Sequence, residues 1–243
     1  MLVKSKIKYI QSLGQKKFRD ETGVFIAEGP KIVKELLNAG PALVQEVYAL
    51  PEWITENQHL LKHTLTEEIT GAELQKISQL KTPNKVLALA GQFTHEQMEV
   101  KGRLTLALCG IQDPGNLGTI IRIADWFGIT QVVCSEDSAD LYNPKVIQST
   151  MGSIARVRVY YSNLADLIGD PAGVPVYATV LDGQDVSKIE KPGQGILLIG
   201  NESKGIPPEL LQRASVRITI PKKGGAESLN AAVAAGIILS HLT

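Results

Sequence analysis

The chain has 243 residues, of which 44% are hydrophobic, 5% aromatic and 21% charged, a composition that excludes a disordered segment. Its 25 Lys and Arg balance 25 Asp and Glu, and its two cysteines are too few for a disulfide framework. The first residues lack the apolar stretch of a secretory signal, and the longest apolar run, residues 231–240, is half as long as a membrane span, so we expect a cytosolic protein.

The net charge of zero conceals a basic amino-terminal segment. Residues 1–19 contain no acidic residue and carry six basic ones, namely Lys4, Lys6, Lys8, Lys16, Lys17 and Arg19. Such a concentration of positive charge attracts polyanions, of which nucleic acids are the commonest. The same pattern also fits a solvated amphipathic helix, so both interpretations stay open on charge alone.

Residues 1–91 are predicted to form a small α/β module. The hydrophobic pattern indicates a basic helix over about residues 4–18, a strand over Val24–Glu28, a helix over Lys31–Ala39, a strand over Val44–Ala49 and an apolar run over Val86–Ala90. Residues 92–102 are polar and without periodicity. We therefore place a linker at 92–102 and a second domain at 103–243.

The second domain alternates short apolar strands with helical stretches. The predicted strands are Leu104–Cys109, Gln131–Cys134, Arg156–Tyr160, Val176–Leu181, Ile196–Gly200 and Val216–Ile220. The predicted helices are residues 118–127, a helix opened by Asn143 and Pro144, one near Pro208–Arg213 and a last one over Leu229–His241. This alternation predicts a mostly parallel sheet flanked by helices, with ligands bound at the carboxyl ends of its strands.

The first unusual loop after a strand runs from Gly110 to Gly118 and is rich in glycine. It is similar to a phosphate-binding loop, but neither Gly-Lys-Ser/Thr nor G-x-G-x-x-G is present. In the helix that follows, Arg122 is placed either toward a ligand or in a surface pair with Asp125. Asn116 is a candidate turn or cap residue.

Two further loops follow predicted strands near the carboxyl end of the chain. Gly200–Gly205 places the carboxylate of Glu202 between glycines, where it is able to hold a ribose hydroxyl, orient an arginine or cap the next helix. Residues 220–230 contain Ser228, which we predict to cap a final helix that begins at Leu229. Each loop alone is compatible with a purely structural role.

Together, the three loops resemble the motifs of a known enzyme family. The order N-L-G-x3-R from residue 116, I-G-N-E-x2-G-I-P from residue 199 and I-P-x5-E-S-L-N-x2-V-A from residue 220 resembles the SpoU (TrmH-like) RNA 2'-O-ribose methyltransferases of the SPOUT superfamily. The resemblance covers residues 103–243. The segment KKFRDETGVFIAEGP at residues 16–30 is similar to the small substrate-binding module that precedes many of these enzymes.

The resemblance implies a fold that periodicity does not predict, namely a sheet whose carboxyl-terminal segment forms a deep trefoil knot, in a homodimer. It implies that S-adenosylmethionine binds in the knot, against Thr179, Gly200, Ile220, Ser228 and Leu229. It also implies that the catalytic-motif residues are Asn116, Arg122, Glu202, Ser228 and Asn230. Lys4, Lys6, Lys8, Lys16, Lys17 and Arg19 would then contact RNA phosphates.

The implied reaction methylates a ribose 2'-hydroxyl of structured RNA, with rRNA preferred over tRNA. Arginine side chains keep their proton in proteins, so we expect Arg122 to bind a phosphate and stabilise the developing alkoxide, with Glu202 and Asn116 holding its guanidinium. A catalytically silent RNA-binding protein of ribosome assembly is one alternative. A nicotinamide-dependent oxidoreductase is a second, weakened by the missing G-x-G-x-x-G.

We expect no metal site and no reactive thiol. His59 and His63 stand four residues apart, but neither the Glu of H-E-x-x-H nor a third ligand accompanies them. Cys109 and Cys134 end predicted strands, which is typical of buried thiols.

Overall fold

The computed structural model describes residues 1–40, 42–94, 97–169 and 173–243. The chain divides into two compact units. The first contains Met1–Thr94 and Asp140–Ala155, and the second contains His95–Ala139 and Arg156–Thr243. None of the helices in the described ranges combines the length and the hydropathy of a membrane span.

The described chain contains ten α-helices and ten β-strands. Up to residue 94 they are α1 (Lys4–Ser12), α2 (Lys16–Thr22), β1 (Val24–Glu28), α3 (Pro30–Ala39), β2 (Val44–Ala49), α4 (Pro51–Asn57), β3 (Leu65–Glu68), α5 (Gly71–Ile77) and β4 (Val86–Gly91). After residue 97 they are β5 (Leu104–Leu108), α6 (Pro114–Trp126), β6 (Gln131–Cys134), α7 (Pro144–Thr150), β7 (Arg158–Tyr161), α8 (Leu164–Gly169), β8 (Val176–Asp185), β9 (Gly195–Ile199), α9 (Pro208–Leu211), β10 (Val216–Thr219) and α10 (Ala231–Leu242).

The first unit is built on a four-stranded sheet with the strand order β1-β4-β2-β3. β4 runs antiparallel to β1 and β2, whereas β3 joins β2 in parallel. Every residue of β1 is buried, and α3 turns its apolar residues inward at helical spacing: Ile32, Val33, Leu36 and Leu37. The predicted small α/β module is therefore confirmed.

The basic segment forms two helices, so the single helix predicted over residues 4–18 is wrong. α1 gives way to a turn in which the backbone N–H groups of Leu13, Gly14 and Gln15 each donate to the carbonyl three residues earlier. Leu13 is fully buried, and a Cβ at Gly14 would lie only 2.7 Å from Oε1 of Gln79. Packing of this turn against the unit outweighs helical continuity.

Residues 140–155 pack with the first unit, although the sequence placed them in the second domain. α7 contacts β1, and the ring centroids of Tyr142 and Phe25 lie 5.0 Å apart. Asp140 accepts a 2.6 Å hydrogen bond from the guanidinium of Arg19. Contacts between elements so far apart along the chain leave no periodic signal, so the predicted domain boundaries did not include this grouping.

The second unit is built on a six-stranded sheet with the order β10-β8-β9-β5-β6-β7. All neighbouring strands are parallel, which confirms the predicted mostly parallel sheet. The central strand β9 is buried throughout, as expected when helices cover both faces. The carboxyl-terminal trefoil knot stays a prediction.

Several boundaries in the second unit differ from the predicted ones. α6 begins at Pro114 instead of residue 118, because Asp113 caps it and proline fits the first helical position. α10 begins at Ala231 instead of Leu229. β7 starts two residues later than predicted, and β8 extends to Asp185, where it pairs with β10.

Candidate active site

Three loops follow the carboxyl ends of strands in the second unit. Loop one is residues 109–113 after β5, loop two is residues 200–207 after β9, and loop three is residues 220–230 after β10. Because parallel strands end at the same edge of a sheet, their loops gather there, which is where α/β proteins bind ligands. The side chains that join these loops define the candidate site.

The side chain of Asn116 joins all three loops. It lies in the first turn of α6, directly after loop one, and its Nδ2 donates to Oε1 of Glu202 in loop two. Its Oδ1 accepts a 2.9 Å hydrogen bond from Nδ2 of Asn230, the last residue of loop three. One amide thus uses its donor and its acceptor in two directions. We call this arrangement of Asn116, Glu202 and Asn230 the asparagine junction.

Asn230 has a second role, because it caps α10. Its Oδ1 accepts from the backbone N–H groups of Ala232 at 3.0 Å and Val233 at 3.3 Å. The prediction that Ser228 caps this helix is therefore wrong, since the free N–H groups lie two and three residues after Asn230. Asn116 is not a cap either, because Asp113 accepts from its backbone N–H at 2.9 Å.

Asn201 fixes loop one to loop two, a role that the sequence analysis missed. Its Nδ2 donates to the carbonyl oxygen of Gly110 at 2.6 Å, and its Oδ1 accepts from the N–H groups of Ser203 and Lys204. An asparagine that bonds backbone groups two and three residues later is typical of a tight turn. The Gly-Asn-Glu sequence directly after a buried strand was the available signal.

A cleft with a volume of about 690 Å³ lies beside these loops, at the carboxyl ends of β8, β9 and β10. Its size falls within the range of about 300–1,000 Å³ that is usual for small-molecule sites. The structure brings the five predicted cofactor residues together in its wall: Thr179, Gly200, Ile220, Ser228 and Leu229. Glu202 also lines the cleft, so the asparagine junction borders it.

Glycine is the only residue type that fits at position 200 without movement of loop two. A Cβ there would lie 2.6 Å from the carbonyl carbon of Gly205 and 2.8 Å from the nitrogen of Ile206. This close approach is accompanied by reciprocal backbone bonds between Asn201 and Gly205, which close loop two. The glycine therefore lets the backbone of loop two fold back at the wall of the cleft.

Arg122 is exposed on α6 and makes no hydrogen bond or ion pair within the described residues. The alternative in which it pairs with Asp125 is wrong, because Asp125 accepts from Nε and Nη2 of Arg156 at 2.8–3.1 Å. The expectation that Asn116 and Glu202 hold its guanidinium is also not met here, since those two side chains bond to each other. Arg122 thus retains its hydrogen-bonding capacity for a ligand.

Both thiols are buried, as expected, and they are unsuited to nucleophilic chemistry. Burial, with a smaller contribution from Asp137, raises the pKa of Cys109 to about 12. Burial alone raises the pKa of Cys134. His59 and His63 are exposed, and the described part of the chain holds no group of three or more candidate metal ligands.

The predicted RNA-binding residues differ in their surroundings. Lys4 and Lys8 are exposed. Lys16 and Lys17 are also exposed, and each forms an ion pair with an acidic residue one turn later in α2, namely Asp20 and Glu21. Lys6 donates a 2.8 Å hydrogen bond to Glu46. Arg19 is only 2% exposed and bonds Asp140 and the carbonyl of Leu13. Its assignment as a phosphate contact is therefore wrong, because a phosphate does not reach a buried guanidinium. Three exposed lysines at the cleft were missed: Lys204, Lys222 and Lys223.

Comparison with known proteins identifies the family. The SpoU rRNA methylase family matches residues 103–240, and the MRM3-like substrate binding domain matches residues 4–88. The chain belongs to the SpoU rRNA methylase family. It is 33% identical to the 23S rRNA (guanosine(2553)-2'-O)-methyltransferase RlmP of Bacillus subtilis (strain 168), over 98% of this chain and 95% of that protein.

Solved structures agree with this SpoU assignment. A TrmH-family protein from Porphyromonas gingivalis is 35% identical, with a TM-score of 0.87 over 100% of this chain and 98% of its own. The AdoMet-bound rRNA methyltransferase from Sinorhizobium meliloti is 31% identical, with a TM-score of 0.89 over 100% and 95% of the two chains. The resemblance stated from the three motifs is confirmed, and the oxidoreductase alternative is wrong.

Proposed function

We propose that this chain is an S-adenosylmethionine-dependent methyltransferase that modifies a ribose 2'-hydroxyl of ribosomal RNA in the cytoplasm. The observation that carries the proposal is the asparagine junction, where the three motif loops meet beside the 690 Å³ cleft. Membership in the SpoU family supports the reaction. The 23S rRNA named for the Bacillus subtilis relative supports rRNA over tRNA.

The cleft fits S-adenosylmethionine in size and in character. Backbone groups of loops two and three and apolar side chains such as Ile199 and Ile238 line it, which suits a ligand with an adenine ring and polar ends. Thr179, Gly200, Ile220, Ser228 and Leu229 would hold it, largely through backbone groups. When bound, it supplies an electrophilic sulfonium methyl group. The AdoMet-bound relative from Sinorhizobium meliloti supports this assignment.

Arg122 binds the phosphate beside the target ribose and stabilises the negative charge that develops on its 2'-oxygen. A guanidinium presents a planar pair of donors that matches phosphate, and it stays protonated in proteins. It is therefore an electrostatic group rather than a base. The 2'-oxygen would bond to the methyl carbon as the methyl–sulfur bond breaks, S-adenosylhomocysteine would leave, and the hydroxyl proton would pass to solvent water. Its exposure and its lack of partners within the described residues support this role.

The asparagine junction positions the catalytic loops. Asn116 and Glu202 hold the first turn of α6, the helix that carries Arg122, against loop two, and Asn230 holds it against loop three. The exposed hydroxyl of Ser228 lies in loop three at the cleft, where it is able to bond the cofactor or the ribose. Placement of the 2'-oxygen in line with the methyl group contributes much of the rate in such transfers.

The first unit holds the RNA substrate. Its exposed lysines Lys4, Lys8, Lys16 and Lys17, together with the half-buried Lys6, supply the phosphate contacts. The match of residues 4–88 to a substrate binding domain supports this assignment. Lys204, Lys222 and Lys223 add positive charge at the cleft of the second unit, where the RNA backbone has to approach.

The enzyme forms a homodimer through the knotted second unit. Large apolar side chains stand in solvent on α6, α10 and the loop before α10: Trp126 is 84%, Val233 51% and Leu229 45% exposed. Burial of such side chains between two subunits would remove this apolar surface from water. Light scattering should show a dimer for the wild type and a monomer for Trp126→Glu. Leu65→Glu, which changes an exposed leucine of the first unit, is the matched control and should stay dimeric.

The decisive experiment is methyl transfer to purified rRNA from cells that lack the gene. The protein and S-adenosylmethionine labelled in the methyl group should produce one ribose-methylated nucleotide, mapped by its resistance to alkaline cleavage. Arg122→Ala is the inactive control. Label on a base, label in tRNA only, or no label with an rRNA that still binds would contradict the proposal; the last result would indicate a silent assembly factor.

A further inference from the structure

The first unit has a cavity of its own, with a volume of about 440 Å³. The end of β1, the segment between α5 and β4, and the start of α7 form its walls. Ile26, Leu80 and Ile147 supply apolar surface, and Lys81 and Lys145 are exposed residues of its lining. A cavity of this size encloses a group as large as a nucleoside. None of the residues assigned to the cofactor or to the catalytic motifs lines it.

Glu28 supplies an acidic side chain to the lining of this cavity, and the residue is only 5% exposed. One oxygen accepts from the hydroxyl of Ser78, and the other accepts from the backbone N–H of Gln79 at 2.8 Å. Glu28 makes no ion pair in the part of the chain that the structure describes. Each carboxylate oxygen accepts about two hydrogen bonds, so each retains one acceptor site.

A charged group is not needed here for stability. Burial raises the pKa of Glu28, and the bonds from Ser78 and Gln79 offset only part of that effect. A glutamine would keep both bonds, because its oxygen accepts from the N–H of Gln79 and its amide donates to the hydroxyl of Ser78. A costly carboxylate where a neutral amide fits is typical of a functional position.

The lining defines the ligand by its chemistry. An acidic centre needs a group that donates hydrogen bonds, and the apolar side chains favour a flat ring. The exposed Lys81 disfavours a cation and favours an anion attached to that ring. A nucleotide has both parts, and RNA offers single bases that are turned out of the stack and bound by their Watson–Crick edges.

We propose that this cavity binds a guanine nucleotide, with N1–H and N2–H of the base donating to the carboxylate of Glu28 and the phosphate near Lys81. Guanine is selected because it presents two adjacent donors on its Watson–Crick edge, whereas adenine presents one donor beside an acceptor. The inference rests on the proposed function only in taking rRNA as the source of this guanine. The cavity would then select the RNA by an unpaired guanine that is distinct from the methylated nucleotide.

The test uses the full chain labelled with ¹⁵N and saturated with S-adenosylhomocysteine, which closes the cofactor cleft to nucleotides. Guanosine, inosine and adenosine 5'-monophosphate are titrated while amide signals are recorded. GMP should shift the amides of Gln79, Leu80 and Ile147 and bind at least tenfold more tightly than AMP, since one charge-assisted hydrogen bond is worth about that factor. IMP, which lacks the 2-amino group, should bind with intermediate affinity.

Glu28→Gln should reduce the ratio of GMP to AMP affinity below about twofold, because the paired acceptor is lost. This ratio compares two ligands on one protein, so a partly unfolded sample does not produce the effect. Glu56→Gln, at an exposed position of α4, is the matched control and should keep the ratio. Lys81→Ala should weaken GMP and AMP by the same factor.

Three results would overturn the inference: no shift of the cavity amides with GMP, equal affinity for AMP, or an unchanged ratio in Glu28→Gln. Methyl transfer by the wild type separates this failure from failure of the proposed function. An active enzyme without a GMP response contradicts the cavity alone. A guanine-selective protein without methyl transfer contradicts the proposed function alone.

Discussion

Asn230 donates a 2.9 Å hydrogen bond to Asn116 while its own oxygen caps α10. The first turns of α6 and α10 therefore meet at one point. Further along, Cδ1 of Ile123 lies 3.6 Å from the position that a Cβ at Gly236 would occupy, so the two helices run side by side in the same direction. A change at Asn230 should therefore affect both the cap and the geometry of the site.

Asn230→Asp separates these two roles. The aspartate keeps the oxygen that accepts from Ala232 and Val233, but it loses the donor to Asn116 and adds a negative charge to the junction that holds Glu202. We expect methyl transfer to fall at least tenfold and the free energy of unfolding to change by less than about 1 kcal/mol, since the cap is retained. Asn230→Ala should lose both the helix cap and the hydrogen bond to Asn116, and its free energy of unfolding should fall by about 0.5–2 kcal/mol. Single-turnover rates and urea unfolding measure the two effects, and a wild-type rate for Asn230→Asp would contradict the positioning role.

Arg122→Lys tests whether the planar guanidinium is needed. Lysine keeps the positive charge but loses the paired donors that match a phosphate, so we expect turnover to fall about tenfold or more. Affinity for S-adenosylhomocysteine, measured by calorimetry, should stay unchanged because Arg122 does not line the cleft. Near-normal turnover with lysine would reject the geometric role and leave only the charge.

Gly200→Ala tests the close backbone approach at the cleft. The added Cβ would meet the backbone of Gly205 and Ile206 at 2.6–2.8 Å, so loop two has to shift. We expect a loss of about 1–3 kcal/mol in unfolding free energy, which is typical of overpacking, and at least tenfold weaker S-adenosylhomocysteine binding. Gly193→Ala is the matched control, because nothing lies within 4 Å of a Cβ there. Unchanged binding in Gly200→Ala would show that loop two does not hold the cofactor.

Much of the second unit could be predicted from the sequence, because its strands and turns are indicated by short, contiguous segments. Buried strands such as β9 are continuous apolar runs, and turn residues such as Gly200 follow them directly. The loops carrying Asn116, Glu202 and Asn230 were likewise recognised from their motifs. Their convergence follows from the parallel sheet, which places the ends of β5, β9 and β10 at one edge.

What the sequence did not predict depends on contacts between distant residues. Arg19 looked like one of six equivalent basic residues, yet its partner Asp140 lies 121 residues away. The packing of α7 with the first unit has the same origin. The cap of α10 was placed at Ser228 because both serine and asparagine are good caps, and only the geometry of Asn230 decides between them.

Substitution of Lys4 and Lys8 should affect RNA binding, whereas substitution of Arg19 should affect the stability of the first unit. Replacing the exposed Lys4 and Lys8 by Gln should weaken rRNA binding and lower the slope of log affinity against log salt by about 0.7–0.9 for each lysine, with S-adenosylhomocysteine affinity unchanged. Arg19→Ala should instead destabilise the first unit by about 3 kcal/mol, because it leaves the half-buried Asp140 carboxylate unpaired. Filter binding at several salt concentrations measures the loss of RNA affinity, and urea unfolding measures the loss of stability. If Arg19→Ala had normal stability but bound RNA weakly, Arg19 would be a phosphate contact after all.

Glu28→Gln should alter stability in a pH-dependent way. Burial raises the pKa of Glu28 in the folded protein above its ordinary value of 4.5, so the folded state holds this proton more tightly than the unfolded chain. The carboxyl's stabilising contribution is therefore complete below about pH 4.5 and is lost as the pH rises through the folded pKa. Glutamine is neutral at every pH, so the Tm advantage of Glu28→Gln over wild type should grow from pH 4.5 upward and then level off. Thermal unfolding between pH 4.5 and 8 measures this difference in Tm. The control Glu56→Gln should show no such trend. A constant or shrinking Tm difference for Glu28→Gln would mean that the carboxyl is not desolvated.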